Sequence, residues 1–277
     1  MTLLEKLTSK NRLLAVLYDN CPDEIKESKL YKHTTTYLQS YLDHQKLTSD
    51  DLTDIYGEFI FYFNKDCKRF IKTGKYPCEL GINNYSPSRV EYDLVLLMSV
   101  LFAPHRFQIM DLLKTSNCSG KALYIGIGPG LEISITQSFY ETIYAYDLSL
   151  NSFVQKNYPS VRFFEELYTG QQKKYFNTIY IIELLEHLDN PYSLIKICYE
   201  SLDKEGKLIL TTASDLPQFD HLYNFHKDHV EFEKYVTDLG FEINKKTTIE
   251  QEYLVMQIQP TNTFYILIKK EEHGQKI

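Results

Sequence analysis

Apolar residues recur at helical spacing through roughly the first 117 positions of the chain. Residues 2–20, 22–47 and 48–77 each place apolar side chains three or four positions apart, which predicts amphipathic helices. Residues 90–103 are apolar on nearly every side of a helix, so this fourth helix is predicted to be buried. Pro104 follows and should kink or restart it. The N-terminal part is therefore expected to be all-helical.

The expected helix limits rest on capping and stop residues. Short polar side chains accept hydrogen bonds at helix starts, whereas glycine and proline favour helix ends. Proline also suits the first turn of a helix, as at Pro22. The other signals are Thr48 or Ser49 and the capping-box pair Ser88 and Glu91 at helix starts, and Gly74 and Pro77 at a helix end.

From about Lys121 onward the pattern changes to short apolar runs separated by helix-compatible segments. The runs occupy residues 121–128, 142–149, 161–166, 177–184 and 207–214. Strands that alternate with helices predict a parallel α/β sheet. Residues 241–250 and 261–270 then predict two strands with no helix between them, so one strand should run in reverse.

The pattern as a whole predicts an α/β fold with two parts. The second part is a Rossmann-like, mainly parallel sheet with a reversed C-terminal edge strand, and the first is an N-terminal all-helical cap. The segment 116–120 contains serine and glycine and is the expected junction. We therefore expect a helical cap or substrate domain over residues 1–117 and a nucleotide-binding domain over residues 118–277.

The charge and aromatic content of the chain indicate which kinds of molecule it is expected to bind. The chain has 277 residues, and 30 Lys and Arg against 37 Asp and Glu give a net charge of −7. Proteins that grip a phosphate backbone usually present a basic face, so a nucleic-acid partner is not expected. The chain also has 23 Tyr, 16 Phe and no Trp. Because a tyrosine ring packs while its hydroxyl hydrogen-bonds, some tyrosines are expected to line a pocket.

The sequence also suggests where the protein resides. No apolar run approaches the roughly 20 residues of a membrane-spanning helix, and the first residues lack the basic-then-apolar order of a signal peptide. A membrane partner is therefore not expected. The five cysteines are scattered without a CxxC pair and are expected to be reduced thiols of a cytoplasmic protein.

A glycine-rich turn and a strand-end acid form the strongest candidate site. The first predicted strand runs into Gly126-Ile-Gly128-Pro-Gly130 and then into a helix, and Asp147 ends the second predicted strand. Glycines let the backbone approach a ligand, and a helix N-terminus offers free N–H groups. A strand-end carboxylate can accept both hydroxyls of a ribose. The combination predicts an adenosine-nucleoside pocket, with a structural turn as the alternative.

Three segments in order resemble a known family. YIGIGPG, AYDLS and IIELLEHLDNP are similar to the successive motifs of class I S-adenosylmethionine-dependent methyltransferases, and KDHVEFEKYVTDLGFEI resembles a later segment of them. The resemblance covers about residues 120–270. It implies S-adenosylmethionine as the cofactor. The cofactor-binding residues that it implies are Tyr124, Gly126, Ile127, Gly128, Gly130, Asp147, Leu148 and Glu183.

One position departs from the family pattern. The acid common two residues before the first glycine is replaced by Tyr124. The cofactor amine would then need another partner, and Glu183 or a water network could supply it. The helical part resembles no family that its residues identify.

Candidate catalytic residues follow the fourth strand and flank the buried helix. Glu183 and His187 should face the ligand crevice, although Glu186 and His187 could instead cap and orient their loop. Tyr92 and His105 complete the catalytic candidates.

Two arginines are candidates for recognition of the substrate. Arg89 lies three residues before Tyr92, on the same helix face, and Arg106 follows the break at Pro104. A buried arginine needs an anionic partner, which could be a substrate carboxylate held by a bidentate fork. The alternative is an internal ion pair with Glu91, Asp93 or Asp111. The other substrate-binding candidates are Tyr85, Tyr223 and His226.

Three histidines cluster after the fifth strand. His221, His226 and His229 could line the substrate pocket or bind a metal, but loop histidines without a metal are commoner, so no metal site is predicted. The sequence thus predicts a methyltransferase that acts on a small polar or anionic molecule. The alternatives are aminocarboxypropyl transfer, as in nicotianamine-synthase-like enzymes, and a binding protein that kept the fold without the chemistry.

Overall fold

The computed structural model describes residues 2–82, 84–116, 118–250 and 258–270. Within these residues the N-terminal part is all-helical, as the apolar periodicity predicts, and it contains seven α-helices. They are α1 (Leu3–Lys10), α2 (Arg12–Asp19), α3 (Asp23–Glu27), α4 (Lys29–Gln45), α5 (Ser49–Thr73), α6 (Arg89–Phe102) and α7 (Pro104–Leu113).

Capping side chains divide two of the expected helices. Asn11 leaves the helical conformation, and its Oδ1 accepts hydrogen bonds from the N–H groups of Leu13 and Leu14 at 2.9 and 3.1 Å. Ser28 likewise caps α4 through the N–H of Tyr31 at 3.1 Å. Each cap satisfies donors that a new helix start leaves free, so each predicted helix becomes two.

The expected boundaries of the longer helices are confirmed. Thr48 caps α5 in a capping box and Gly74 ends it in the left-handed conformation. The box of Ser88 and Glu91 starts α6. Pro104 restarts the chain as α7, at 90° to α6.

Most side chains of α6 and α7 are buried. Among the described residues, no single helix is long and apolar enough to cross a membrane. The bent pair would pass that test by length and composition alone.

The second part is one seven-stranded sheet flanked by helices. Its strands are β1 (Lys121–Ile125), β2 (Thr142–Tyr146), β3 (Arg162–Phe164), β4 (Phe176–Ile181), β5 (Leu202–Ser214), β6 (Phe241–Glu250) and β7 (Thr261–Lys269). Its helices are α8 (Leu131–Thr136), α9 (Ser152–Asn157), α10 (Pro191–Ser201) and α11 (Val230–Leu239).

The sheet confirms the predicted fold class. The strand order is β3-β2-β1-β4-β5-β7-β6, and the first five strands of that order pair in parallel. Strand β7 is antiparallel to both β5 and β6. Strand β7 lies between β5 and β6, so β6 is the edge strand. The reversed strand is therefore β7, which is next to the edge.

The helical part packs directly against the sheet. One hydrophobic cluster runs from Leu3 through α4 to α7 and on to β1 and β2. The hydroxyl of Tyr37 on α4 donates to the carbonyl of Pro129, inside the glycine turn, at 2.6 Å. The helical part thus covers the carboxyl ends of the parallel strands, where ligands bind in this topology. The division into two domains after residue 117 stays a prediction.

Candidate active site

The glycine turn after β1 has a conformation that side chains would disturb. Gly126, Gly128 and Gly130 have φ angles of 71°, 49° and 77°, in the left-handed region that favours glycine. A Cβ on Gly126 would lie 2.9 Å from the side chain of Leu184, and one on Gly130 would lie 2.8 Å from that of Val154. The sequence therefore needs glycine at these positions to bring the turn beside the ends of β2 and β4.

Asp147 follows β2 and faces the glycine turn. Its Oδ2 accepts the N–H of Gly128 at 3.1 Å, and its Oδ1 accepts the N–H of Ser149 at 3.0 Å. Arg89 donates to Oδ1 at 2.8 Å and approaches Oδ2 at 3.4 Å. Each carboxylate oxygen therefore accepts two hydrogen bonds, and the contact from Arg89 to Oδ2 is the longest of the four.

Arg89 is held from two further sides. Its Nε donates to Asp93 at 2.9 Å, and one terminal nitrogen donates to the carbonyl of Gly128 at 2.9 Å. The other oxygen of Asp93 accepts the hydroxyl of Tyr41 at 2.7 Å and the amide of Asn151 at 3.1 Å. The internal ion pair to Asp93, one of the sequence alternatives, is thus present. The predicted role of Arg89 in substrate binding stays a prediction.

Glu183 follows β4 in a strained backbone conformation beside Arg106. Its φ of 50° is unusual for a residue with a side chain, and its N–H donates to Thr211 at 2.6 Å. Its Oε2 lies 3.1 Å from a terminal nitrogen of Arg106, and its Oε1 accepts the amide of Asn262 at 2.9 Å. Arg106 is only 7% exposed, and its Nε has no hydrogen-bond partner among the described residues. One donor of this buried arginine is therefore available to a ligand.

Two adjoining cavities meet at this ion pair. The first, of about 590 Å³, runs along the glycine turn and Asp147, and the second, of about 330 Å³, lies beneath α2, α5, α6 and α7. Both volumes suit small-molecule sites. The residues common to both walls are Tyr92, Leu96, Arg106, Glu183 and His187.

The structure brings together most of the predicted site residues. Gly126, Ile127, Gly128, Asp147 and Leu148 line the first cavity and His105 lines the second. Gly130 ends the turn and is the N-cap of α8.

Four other candidates lie away from both cavities. Tyr85 packs between Phe59, Tyr62 and Phe219. Tyr124 stacks on Tyr180 at 4.6 Å, and Tyr223 lies against Tyr192 and Phe225. The fourth, His226, is exposed. Their predicted roles have no support from the cavity walls.

The three clustered histidines separate in the structure. His229 is buried, and its Nε2 lies 2.7 Å from the hydroxyl of Thr263. His226 points outward, whereas His221 is buried against His187, with ring centroids 4.8 Å apart. Sequence proximity therefore did not predict which histidines group together.

Glu132 and Tyr37 are among the residues of the site that were not predicted. Glu132, in the first turn of α8, lines the first cavity, and its Oε2 has no hydrogen-bond partner among the described residues. Its position just after the glycine turn is the signal that could have identified it. Tyr37, which supports the turn from α4, belongs to a tyrosine-rich run whose spacing indicates only packing.

Burial in the wall of the second cavity should make the stability of the protein depend on pH through His105. Burial and the adjacent Arg106 charge lower the pKa of His105 from 6.5 to about 3. Below pH 6.5 the unfolded chain would bind a proton that the folded chain excludes. His105 therefore lowers the free energy of unfolding as pH falls, by up to about 1.4 kcal/mol per pH unit. In urea denaturation, the free energy of unfolding should fall more steeply for the wild type than for His105→Gln as the pH drops below about 6.5, and the difference between the two slopes is the contribution of His105.

The difference between the two proteins at about pH 8 serves as the control, because neither state binds the proton there and only packing differs. Unfolding free energies that run parallel from about pH 8 to about pH 5 would contradict this pKa shift.

The sequence and the fold were compared with known proteins. Residues 123–210 match the family described as Methyltransferase domain. This segment contains the glycine turn, Asp147 and Glu183, and the match confirms the predicted resemblance to a methyltransferase domain over these residues. No curated protein sequence matches the chain significantly.

Solved structures resemble part of the chain at low sequence identity. A Bacillus halodurans protein assigned as a methyltransferase is 14% identical, with 59% of this chain and 99% of that chain covered and a TM-score of 0.51. The N-methyltransferase NodS from Bradyrhizobium japonicum is 12% identical over 60% and 94% of the chains, with a TM-score of 0.49. A Burkholderia thailandensis 1,6-didemethyltoxoflavin-N1-methyltransferase is 13% identical over 69% and 94%, with a TM-score of 0.48. The first likeness supports the fold.

Proposed function

We propose, from the methyltransferase domain at residues 123–210, that this protein transfers a methyl group from S-adenosylmethionine to a small polar or anionic molecule. The observation that carries the proposal is the pair of adjoining cavities. One lies on the glycine turn and Asp147, and the other lies beneath the helical part. A cofactor in the first cavity would present its methyl group toward an acceptor in the second.

The first cavity offers partners for each part of the cofactor. The carboxylate of Asp147 would accept the ribose hydroxyls in place of one of its present donors, of which Arg89 at 3.4 Å is the most distant. The N-terminus of α8 directly follows the glycine turn. The carboxylates of Glu132 and Glu183 suit the cofactor amine, in place of the acid that Tyr124 replaces. The unpaired Nε of Arg106 suits a carboxylate, either of the cofactor or of the acceptor.

The enzyme mainly has to align the acceptor with the methyl group. Such positioning lowers a reaction barrier by up to about 7–11 kcal/mol in favourable cases. Tyr92, Arg106 and His187 stand at the junction of the cavities, where acceptor and methyl group would meet. We propose that these three side chains orient the acceptor. The net charge of −7 accords with a small-molecule acceptor rather than a nucleic acid.

Calorimetry with S-adenosylmethionine and S-adenosylhomocysteine tests the cofactor assignment. Binding of both should be measurable, and a Kd weaker than about 1 mM for each would reject the proposal. The product then separates the chemistries. S-adenosylhomocysteine indicates methyl transfer, whereas methylthioadenosine indicates aminocarboxypropyl transfer.

Asp147→Ala should weaken cofactor binding by about 10–150-fold. Hydrogen bonds to a charged group contribute about 1.5–3 kcal/mol each, and this carboxylate is the predicted acceptor for the ribose. Calorimetric titration of the wild type and the variant with S-adenosylhomocysteine measures the difference.

The matched control is Asp189→Ala, because Asp189 also lines the first cavity but lies beyond the β4 turn. Equal affinities for Asp147→Ala and the wild type would favour a protein that kept the fold without using this nucleoside site.

A further inference from the structure

Three side chains at the floor of the second cavity form a group with the composition of a metal site. Glu186 and His187 belong to the short 3₁₀ helix Leu185–His187 after β4, and His221 belongs to the loop after β5. One ligand atom from each of the three lies within 4.8 Å of the others. We propose that Glu186, His187 and His221 bind a divalent transition-metal ion.

The burial of two of these groups leaves polar atoms unpaired. Glu186 is 1% exposed and His221 is 2% exposed. Glu186 Oε2 and His221 Nδ1 have no hydrogen-bond partner among the described residues. Buried polar atoms normally have a partner because desolvation without one is costly. A cation between the carboxylate and the imidazoles would supply it.

His187 is already oriented as metal-binding histidines usually are. Its Nδ1 lies 3.1 Å from the main-chain carbonyl of Asp220 and 3.4 Å from the carboxylate of Asp220. A carbonyl can only accept, so Nδ1 carries a proton, and in the neutral ring Nε2 keeps its lone pair. An outer carbonyl or carboxylate that fixes the tautomer in this way accompanies most histidine ligands.

The two loops that carry the ligands are fixed to each other. The N–H groups of Leu222 and Tyr223 both donate to the carbonyl of Glu186, at 2.8 and 2.9 Å. The backbone therefore sets the separation of the three side chains. Tetrahedral binding at about 2.1 Å would bring ligand atoms to about 3.4 Å of one another, so only side-chain movement of the order of 1 Å is needed.

The ligand types decide the class of ion. Two imidazoles and one carboxylate suit Zn²⁺ with one open position, or Fe²⁺, whereas Mg²⁺ and Ca²⁺ prefer oxygen ligands. All three side chains line the second cavity, so the open position would face a ligand there. The site shares His187 and the second cavity with the proposed methyl transfer. The metal content tests it without any assay of activity, so failure of the metal site and failure of the proposed function can be told apart.

The test is metal binding by the full chain. After treatment with a chelator and dialysis against Zn²⁺, the wild type should retain about one ion per chain. Loss of an outer partner lowers metal affinity by about 10–100-fold. Glu186→Gln and His221→Gln each remove a proposed ligand and should lower the affinity for Zn²⁺ further than that. Asp220→Asn, which alters only that outer carboxylate, should weaken binding by about tenfold.

The matched control is His33→Gln, which removes an exposed histidine on α4 and should leave the affinity unchanged. Co²⁺ provides a second readout, because its visible absorption reports nitrogen ligands and should change in Glu186→Gln and His221→Gln only. Circular dichroism checks that each variant folds. If a ligand variant does not fold, the Zn²⁺ affinity of Asp220→Asn tests the proposal instead. Zn²⁺ retention that is absent from the wild type, or equal in all variants, would overturn the proposal.

Discussion

Arg106→Met should lower the free energy of unfolding by about 3–5 kcal/mol, because it leaves a buried carboxylate without its cation. Arg106 is 7% exposed, and Glu183 lies 3.1 Å from it at the junction of the two cavities. The Asn262 amide would still donate to the Glu183 carboxylate, but it carries no charge to offset the loss. Urea denaturation of the wild type and the variant measures the change.

A second substitution separates the charge from the packing of the arginine. Arg106→Met with Glu183→Gln removes both charges and should recover much of the lost stability, since an uncharged pair has no unpaired ion. The matched control is Lys114→Met, which breaks the exposed ion pair with Asp111 and should change stability little. A loss for Arg106→Met no larger than that of Lys114→Met would mean that the buried pair does not stabilise the fold.

The strands and the longer helices could be predicted because their signals are local. The apolar runs located every strand, and the capping boxes at Thr48 and Ser88 located two helix starts. The breaks at Asn11 and Ser28 were not predicted, because a single polar residue can lie inside a helix or cap a new one. The insertion of β7 between β5 and β6 depends on pairing between distant segments, and the periodicity of apolar residues carries no information about that pairing.

The parts of the site that follow from chain order were predictable. The glycine turn and Asp147 each come directly after a strand of a parallel sheet, so the backbone of the turn and the Asp147 carboxylate meet at the carboxyl-terminal edge of the sheet. Arg106 was predictable as a buried cation that needs an anion, and its partner proved to be Glu183. Glu132 was missed because a first-turn acid is common on helices for reasons of capping and dipole alone.

The remaining parts depend on how loops and helices pack, which the sequence pattern does not contain. His221 lies closer in sequence to His226 than to His187, yet the loop after β5 folds back onto the turn after β4. The tyrosines illustrate the same point. Tyr92 lines both cavities, whereas Tyr85 and Tyr124 are packed among other aromatic rings. A tyrosine has the same local signature in either setting.

A buried polar network joins the helical part to the proposed cofactor site, and its loss should cause the second large fall in the free energy of unfolding, after that of Arg106→Met. Asp93 is fully buried on α6 and accepts hydrogen bonds from Tyr41 of α4, Asn151 at the start of α9, and Arg89. Arg89 in turn donates to Asp147. Loss of Asp93 would therefore free three donors and release the arginine that holds the predicted ribose-binding acid.

Asp93→Ala should lower the free energy of unfolding by about 3 kcal/mol, since it removes one member of a buried ion pair and leaves buried donors unpaired. Asp93→Asn keeps the size and one acceptor and should lose less. A double-mutant cycle with Arg89→Met isolates the ion pair, with an expected coupling of about 0.5–3 kcal/mol. Additive effects of Asp93→Ala and Arg89→Met would show that the two side chains contribute separately. In that case Asp93 and Arg89 would not act as a coupled network that links the helical part to Asp147.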